Sequence, residues 1–153
     1  MPNYSVPTIK ALASTSPSCI GFVASAATVR RSMVYFISLS SYDTPSDSLV
    51  RWNVNRITAI GSGAAAVLPI PLDLADATAV CIAGQAPTTD VTPSGVALLD
   101  VGVHLRNTFE WFAPPRGELV GDATLNHGIA VRTATLTGAN VTPSVNATFH
   151  YSE

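Results

Sequence analysis

Between residues 49 and 60 apolar and polar side chains alternate one for one, with Val50, Trp52 and Val54 on one face and Arg51, Asn53 and Asn55 on the other. A period of two is the pattern of a strand with one buried and one wet face, and a helix cannot accommodate it. The same period recurs along the chain. Residues 96–106 set Leu99, Val101, Val103 and Leu105 together, 128–136 alternate Ile129, Val131 and Thr133 with Ala130, Arg132 and Ala134, and 141–151 align Val145, Ala147, Phe149 and Tyr151. Residues 28–40 are apolar on both sides, Val34 and Phe36 against Met33, Tyr35, Ile37 and Leu39, which predicts a strand buried on both faces. Shorter strand signals cover 64–70, 78–83, 107–113 and 118–120.

Turn chemistry separates these runs. It is carried by the Asp, Ser and Pro cluster at 41–47, by Gly61-Ser62-Gly63, by a polar loop over 84–95 and by Pro114-Pro115-Arg116-Gly117. One helical turn is predicted at 72–77, where Asp73 can cap it. About eight short strands without strand–helix alternation predict an all-β fold, an antiparallel two-sheet sandwich of the jelly-roll type. Residues 1–27 are rich in Ser, Thr, Ala and Pro, and Pro2, Pro7 and Pro17 interrupt regular structure. They are expected to form an extended N-terminal arm with apolar contacts at Tyr4, Val6 and Ile9, leaving 28–153 as a single β-sandwich domain.

Charge is the scarce commodity in this composition. Charged residues make up 12% of the chain, against about 25% in an ordinary soluble domain. A free surface is normally kept charged, and the buried centre of an interface is not, so much of this surface is expected to be covered by neighbours. A net charge of −2 with scattered basic residues gives no pull towards nucleic acid or an anionic membrane. No apolar run approaches the roughly 20 residues of a membrane span, and no signal-peptide pattern opens the sequence, so synthesis in a cytoplasm is expected. Arginine occurs seven times and lysine once, at Lys10. Arginine is the cation that interfaces favour, which makes Arg30, Arg31, Arg51 and Arg116 candidates for inter-subunit contacts alongside Tyr4, Val6 and Ile9.

Chemical signatures are weak. Cys19 and Cys81 lack CxxC spacing and read as buried apolar residues; His104, His127 and His150 lie far apart; no serine sits in a GxSxG elbow. Asp43/Asp47 and Asp73/Asp76 fall in turns, and Asp100 and Glu110 lie on different strands. Asn146-Ala147-Thr148 and Asn140-Val141-Thr142 match the glycosylation pattern, without a secretory signal to make them acceptors. No catalytic residue, cofactor or metal is predicted.

The run Ser41-Tyr42-Asp43-Thr44-Pro45-Ser46-Asp47, then Trp52-Asn53-Val54-Asn55-Arg56-Ile57-Thr58-Ala59, then Pro69-Ile70-Pro71-Leu72-Asp73, resembles small structural proteins of tailed bacteriophages. Gly128-Ile129-Ala130-Val131-Arg132-Thr133 and the close on Ala147-Thr148-Phe149-His150-Tyr151-Ser152-Glu153 are similar to the final strands of that group. The resemblance spans about residues 28–153 and is greatest to capsid cement, or decoration, proteins. It implies a virion component without catalytic residues: a homo-oligomer, most simply a trimer, seated on the lattice of the major capsid protein. The alternative implied by a jelly roll is a receptor-binding or carbohydrate-binding module of a tail or fibre, which calls for exposed aromatics in a loop groove. The 84–95 loop contains none.

Overall fold

The computed structural model describes residues 1–12, 18–41, 49–134 and 144–153. The described residues form twelve strands: β1 (Asn3–Ala11), β2 (Ser18–Ala24), β3 (Met33–Ser41), β4 (Leu49–Ala59), β5 (Ala65–Val67), β6 (Ile70–Pro71), β7 (Ile82–Gln85), β8 (Thr92–His104), β9 (Phe109–Phe112), β10 (Leu119–Val120), β11 (Gly128–Thr133) and β12 (Ser144–Ser152). No helix occurs among the described residues. The first sheet runs β10-β3-β12-β1-β6, with β9 also on β3; the second runs β5-β7-β2-β11-β4-β8. Every pairing is antiparallel.

Alternation decides which side chains meet. Tyr4 and Val6 of β1, Val34, Ile37 and Leu39 of β3, and Ala147, Phe149 and Tyr151 of β12 point inward from the first sheet. Val50, Trp52 and Val54 of β4 and Ile129 and Val131 of β11 point inward from the second, and all of them are buried in one cluster. The two sheets therefore form a sandwich, the class the periodicity predicts. Close approach is secured at Gly21, where an added Cβ would lie 2.4 Å from Thr8 Oγ1 of the facing sheet.

A second, smaller core lies outside the second sheet. Phe22, Ile57 and Ala130 are covered there by Val91, Ile60 and Ala64 of two loops. Asp90 pins this cover: Oδ1 accepts the backbone N–H of Cys19 and of Val91, both at 2.9 Å, and Oδ2 accepts Arg132 Nη2 at 2.5 Å.

The N-terminal segment differs from expectation. Residues 3–11 and 18–24 are not an arm: β1 pairs with β12 along its whole length and with β6 at Tyr4 and Ser5, and β2 lies between β7 and β11. Pro7 fits into β1 because of strand phase. Ile9 N–H points away from β12 and donates to Gln85 Oε1 at 2.8 Å. Pro7, two residues earlier, presents its nitrogen on that same side, beyond the short reach of β6.

Smaller differences have similar causes. Residues 73–76 form a turn, with Asp76 N–H on Asp73 O at 3.0 Å and Ala75 N–H on Asp73 Oδ1 at 2.9 Å, and a turn this short has no room to nucleate a helix. The strand expected at 78–83 begins only at Ile82, and the loop expected over 84–95 gives its ends to β7 and β8. The outer side of β3 is half-buried rather than buried at Tyr35 and Phe36. Apart from Ser41, the turn expected at 41–47 lies outside the described residues, as does Pro17.

Candidate functional site

The surface feature that departs most from a free monomer lies along one side of the sandwich. After β5, at the edge of the second sheet, the chain crosses to β6, at the edge of the first, and turns at residues 73–76. Pro69 and Pro71 stop this crossing from becoming a long edge strand. It leaves Leu68 at 73%, Ile70 at 54%, Leu72 at 52% and Leu74 at 99% exposure. Ile9 stands on the same side of the sandwich, beside Gln85, and is also exposed. Aliphatic residues scattered singly over a surface need no explanation; four exposed within seven residues of one segment make it a candidate contact surface.

The outer face of the first sheet adds an aromatic group. Phe36 lies 4.7 Å from Phe112 and 4.7 Å from His150, centroid to centroid, and Tyr35 lies 6.1 Å from His150. Phe112 is largely exposed. Partial burial pushes His150 below its usual value, so the ring is neutral in this apolar setting.

The residues expected at interfaces are distributed unevenly. Tyr4 and Val6 are in the core, Tyr4 stacked on Tyr151 at 5.3 Å with its hydroxyl on Ala77 O at 2.9 Å. Their burial inside the chain removes them from any inter-subunit surface, because they fill the sheet that the supposed arm belongs to. Ile9, Arg30, Arg31, Arg51 and Arg116 are exposed. Arg51 is engaged within the chain by an exposed ion pair to Asp100 on the outer face of the second sheet. Arg116 holds the apex of the β9–β10 turn at φ 63°. These arginines do not converge. The exposure of Leu68 to Leu74 is hidden in the sequence because residues 64–70 read as a strand and 72–77 as a helical turn; the signal it carries is their alternation with Pro69, Pro71 and Asp73.

Among the described residues, two of the cavities bring oppositely charged side chains together. One, of about 240 Å³, is lined by Pro2, Tyr4, Arg30, Thr78, Val80 and Glu153. There the Glu153 carboxylate accepts the N–H groups of Val80 at 2.6 Å and Cys81 at 2.7 Å, tying the last strand to the start of β7. The other, of about 180 Å³, holds Arg56, Ser94, Asp122 and His127. The Asp122 carboxyl is held below its usual value by hydrogen bonds from Thr124 and from His127. Ser94, His127 and Asp122 are the residue types of a hydrolytic relay, but no hydrogen bond joins Ser94 to His127. Asp100 and Glu110 sit on different sheets, and no cluster of three metal-ligating residues exists among the described residues. Cys19 and Cys81 are buried free thiols. Among the described residues no helix is long and apolar enough to cross a membrane. Compared with protein-family models, curated proteins and solved structures, the chain matches none.

Proposed function

We propose that this chain is a jelly-roll subunit of a bacteriophage virion, a capsid cement protein that associates with its own copies and with the lattice of the major capsid protein. The observation that carries the reading is the exposed aliphatic run from Leu68 to Leu74 on a chain with so few charges. Removing those four side chains from water contributes about 4–8 kcal/mol. That is comparable to the roughly 4–15 kcal/mol cost of association. One such contact is weak alone, and a lattice that repeats it gains by multivalency.

Strand order supports the winding. Counting β1, β2, β3, β4, β8, β9, β11 and β12 as the eight main strands, the sheets read 1-8-3-6 and 2-7-4-5, the interleaving of a sheet pair rolled from one long hairpin. Edges are defended as an assembly subunit requires. β5, β6 and β10 are two or three residues long, and β8 bulges outward between Ser94 and Leu99, where β4 supplies a single residue, Asn55. Contacts between subunits therefore rest on side chains rather than on uncontrolled strand addition.

Light scattering on the purified chain tests the self-association, with an oligomer expected at micromolar concentration. The pair Leu68→Ser and Leu74→Ser should shift it towards monomer while the thermal transition stays in place. A wild-type monomer at that concentration overturns the homo-oligomer. Copy number in purified virions tests the location: hundreds of copies are expected, and a handful would move the protein to the tail.

A further inference from the structure

We infer that the cavity between the ends of β4, β8 and β11 and the loop at residues 121–127 is a binding site for a single neutral sugar ring, held through vicinal hydroxyls. This is independent of the assembly reading, because the cavity is built from different elements from the Leu68–Leu74 run.

The walls are fixed before any ligand arrives. Gly121 N–H donates to Ser32 O at 2.8 Å, Asn126 N–H to Ser25 O at 2.9 Å, Ser25 N–H to His127 O at 2.8 Å and His127 N–H to Thr124 O at 2.9 Å. Asn126 adopts φ 65°, a conformation that costs a non-glycine residue about 1 kcal/mol or more and is kept where surrounding structure dictates it. Gly121 and Gly128 pack backbone to backbone: a Cβ on Gly121 would lie 3.1 Å from Gly128 Cα. The loop is thus stitched to the β2–β3 connection at Ser25 and Ser32, and its side chains are presented by a rigid support.

Those side chains have unused hydrogen-bonding capacity of both kinds. Asp122 Oδ2 accepts Thr124 Oγ1 at 3.0 Å and pairs with His127 Nδ1 at 3.2 Å. A carboxylate only accepts, so Nδ1 is the donor in that contact and Nε2 is left outside it. Arg56 spends Nε on Val120 O at 3.0 Å, and its two terminal nitrogens have no further partner among the described residues. The hydroxyls of Ser94 and Thr58 line the same cavity.

One guanidinium, one carboxylate, one imidazole and two hydroxyls bring donors and acceptors side by side. That excludes a small anion as the preferred guest, because the Asp122 carboxylate would oppose it, and a single engaged carboxylate is too little for a metal ion. Alternating donors and acceptors complement adjacent hydroxyls, each of which donates once and accepts twice. A volume of about 180 Å³ is below the roughly 300–1,000 Å³ of sites for larger ligands, which limits the guest to one ring.

The experiment is a two-dimensional amide NMR titration of the intact chain with glucose, galactose, mannose and N-acetylglucosamine, with phosphate and acetate in parallel. At least one sugar should move the amides of Ser94, Asp122, His127 and Gly128 in a saturable way. Asp122→Asn and His127→Gln should each weaken that binding tenfold or more, while Arg51→Ala, on the outer face of the second sheet, leaves it unchanged. The thermal transition of each variant establishes that it is folded, and the conservative Ser94→Thr serves as a second probe if either fails. No sugar-dependent shift at these amides at tens of millimolar overturns the inference. So does a response to phosphate or acetate alone, or sugar binding that both loop variants retain. None of these outcomes bears on the oligomeric state.

Discussion

Val6→Ala separates a built-in first strand from a loose arm. Val6 is fully buried, faces Phe149 across the β1–β12 ladder, and belongs to the main core. Losing two methyl groups there forfeits their transfer energy and leaves a space that a flanking ladder on β12 cannot close, about 2–3 kcal/mol together. For a domain of this length each kcal/mol moves the midpoint by roughly 2–4 °C, so the transition should fall by about 4–12 °C. Calorimetry and the fluorescence of Trp52, which is buried in the same cluster, should report the same loss. Removing residues 3–11 altogether strips Tyr4 and Val6 from the core and uncovers β12, a change comparable to the whole net stability of a domain, about 5–15 kcal/mol. No cooperative transition is expected from that truncation. A shift below about 1 °C for Val6→Ala, or a wild-type transition in the truncated chain, would refute the placement of β1.

Gly128→Ala should be far more damaging than Gly95→Ala. At Gly128 a Cβ would lie 2.0 Å from Val23 O and 2.6 Å from Ala24 Cα in the middle of a sheet, whereas at Gly95, φ 70°, nothing stands within 4 Å. The expected losses are about 3 kcal/mol or more against about 1 kcal/mol, read by thermal unfolding. Burial first, and then the Asp90 carboxylate, push the Cys19 thiol up to about 12. The unfolded thiol ionises from about pH 9 while the folded one stays neutral, so its contribution is whole below pH 9 and is lost as pH rises towards 12. Urea unfolding at about pH 10.5 should show a loss of about 2 kcal/mol relative to pH 8 from this thiol, and Cys19→Ala should reduce that difference. Asp90→Ala breaks the contacts that pin the outer cover and strands the part-buried Arg132, at a cost of about 3 kcal/mol in the same assay. Asp100→Ala, which removes the exposed partner of Arg51, should leave the unfolding midpoint where it is.

Strict alternation was legible: β4 follows Val50, Trp52 and Val54 to within a residue, and β11 and β12 follow Ile129 and Val131, and Ala147, Phe149 and Tyr151, although β11 is covered on both faces and stops at Thr133, and residues 135–143 lie outside those described. β1 was not legible, because Pro7 argues against a strand unless its phase and its neighbours are known, and only the register against β12 and the brevity of β6 supply them. The half-covered outer side of β3 was hidden for a related reason. Tyr35 and Phe36 are apolar enough for a core, and it takes Phe112 and His150 from two other strands to show that they form a surface group. The Asp122–His127 pair lies five residues apart in a segment with no motif, and only the backbone closure around Asn126 brings the two side chains together.

The pairing of Asn3 with Ser152 has a kinetic consequence. β1 is synthesised well before its long partner, β12. At about 5–20 residues per second that interval is roughly ten seconds or more, during which β1 holds Tyr4 and Val6 without their ladder. Before β12 is made, β4 can pair with β8, β2 with β7 and β3 with β9, but the ladders of β12 with β1 and with β3 close only afterwards. A fold in which β1 waits for β12 is slow by topology and passes through a stage with an open apolar face. Low temperature and slow expression should therefore raise its soluble yield more than they would for a protein of local contacts.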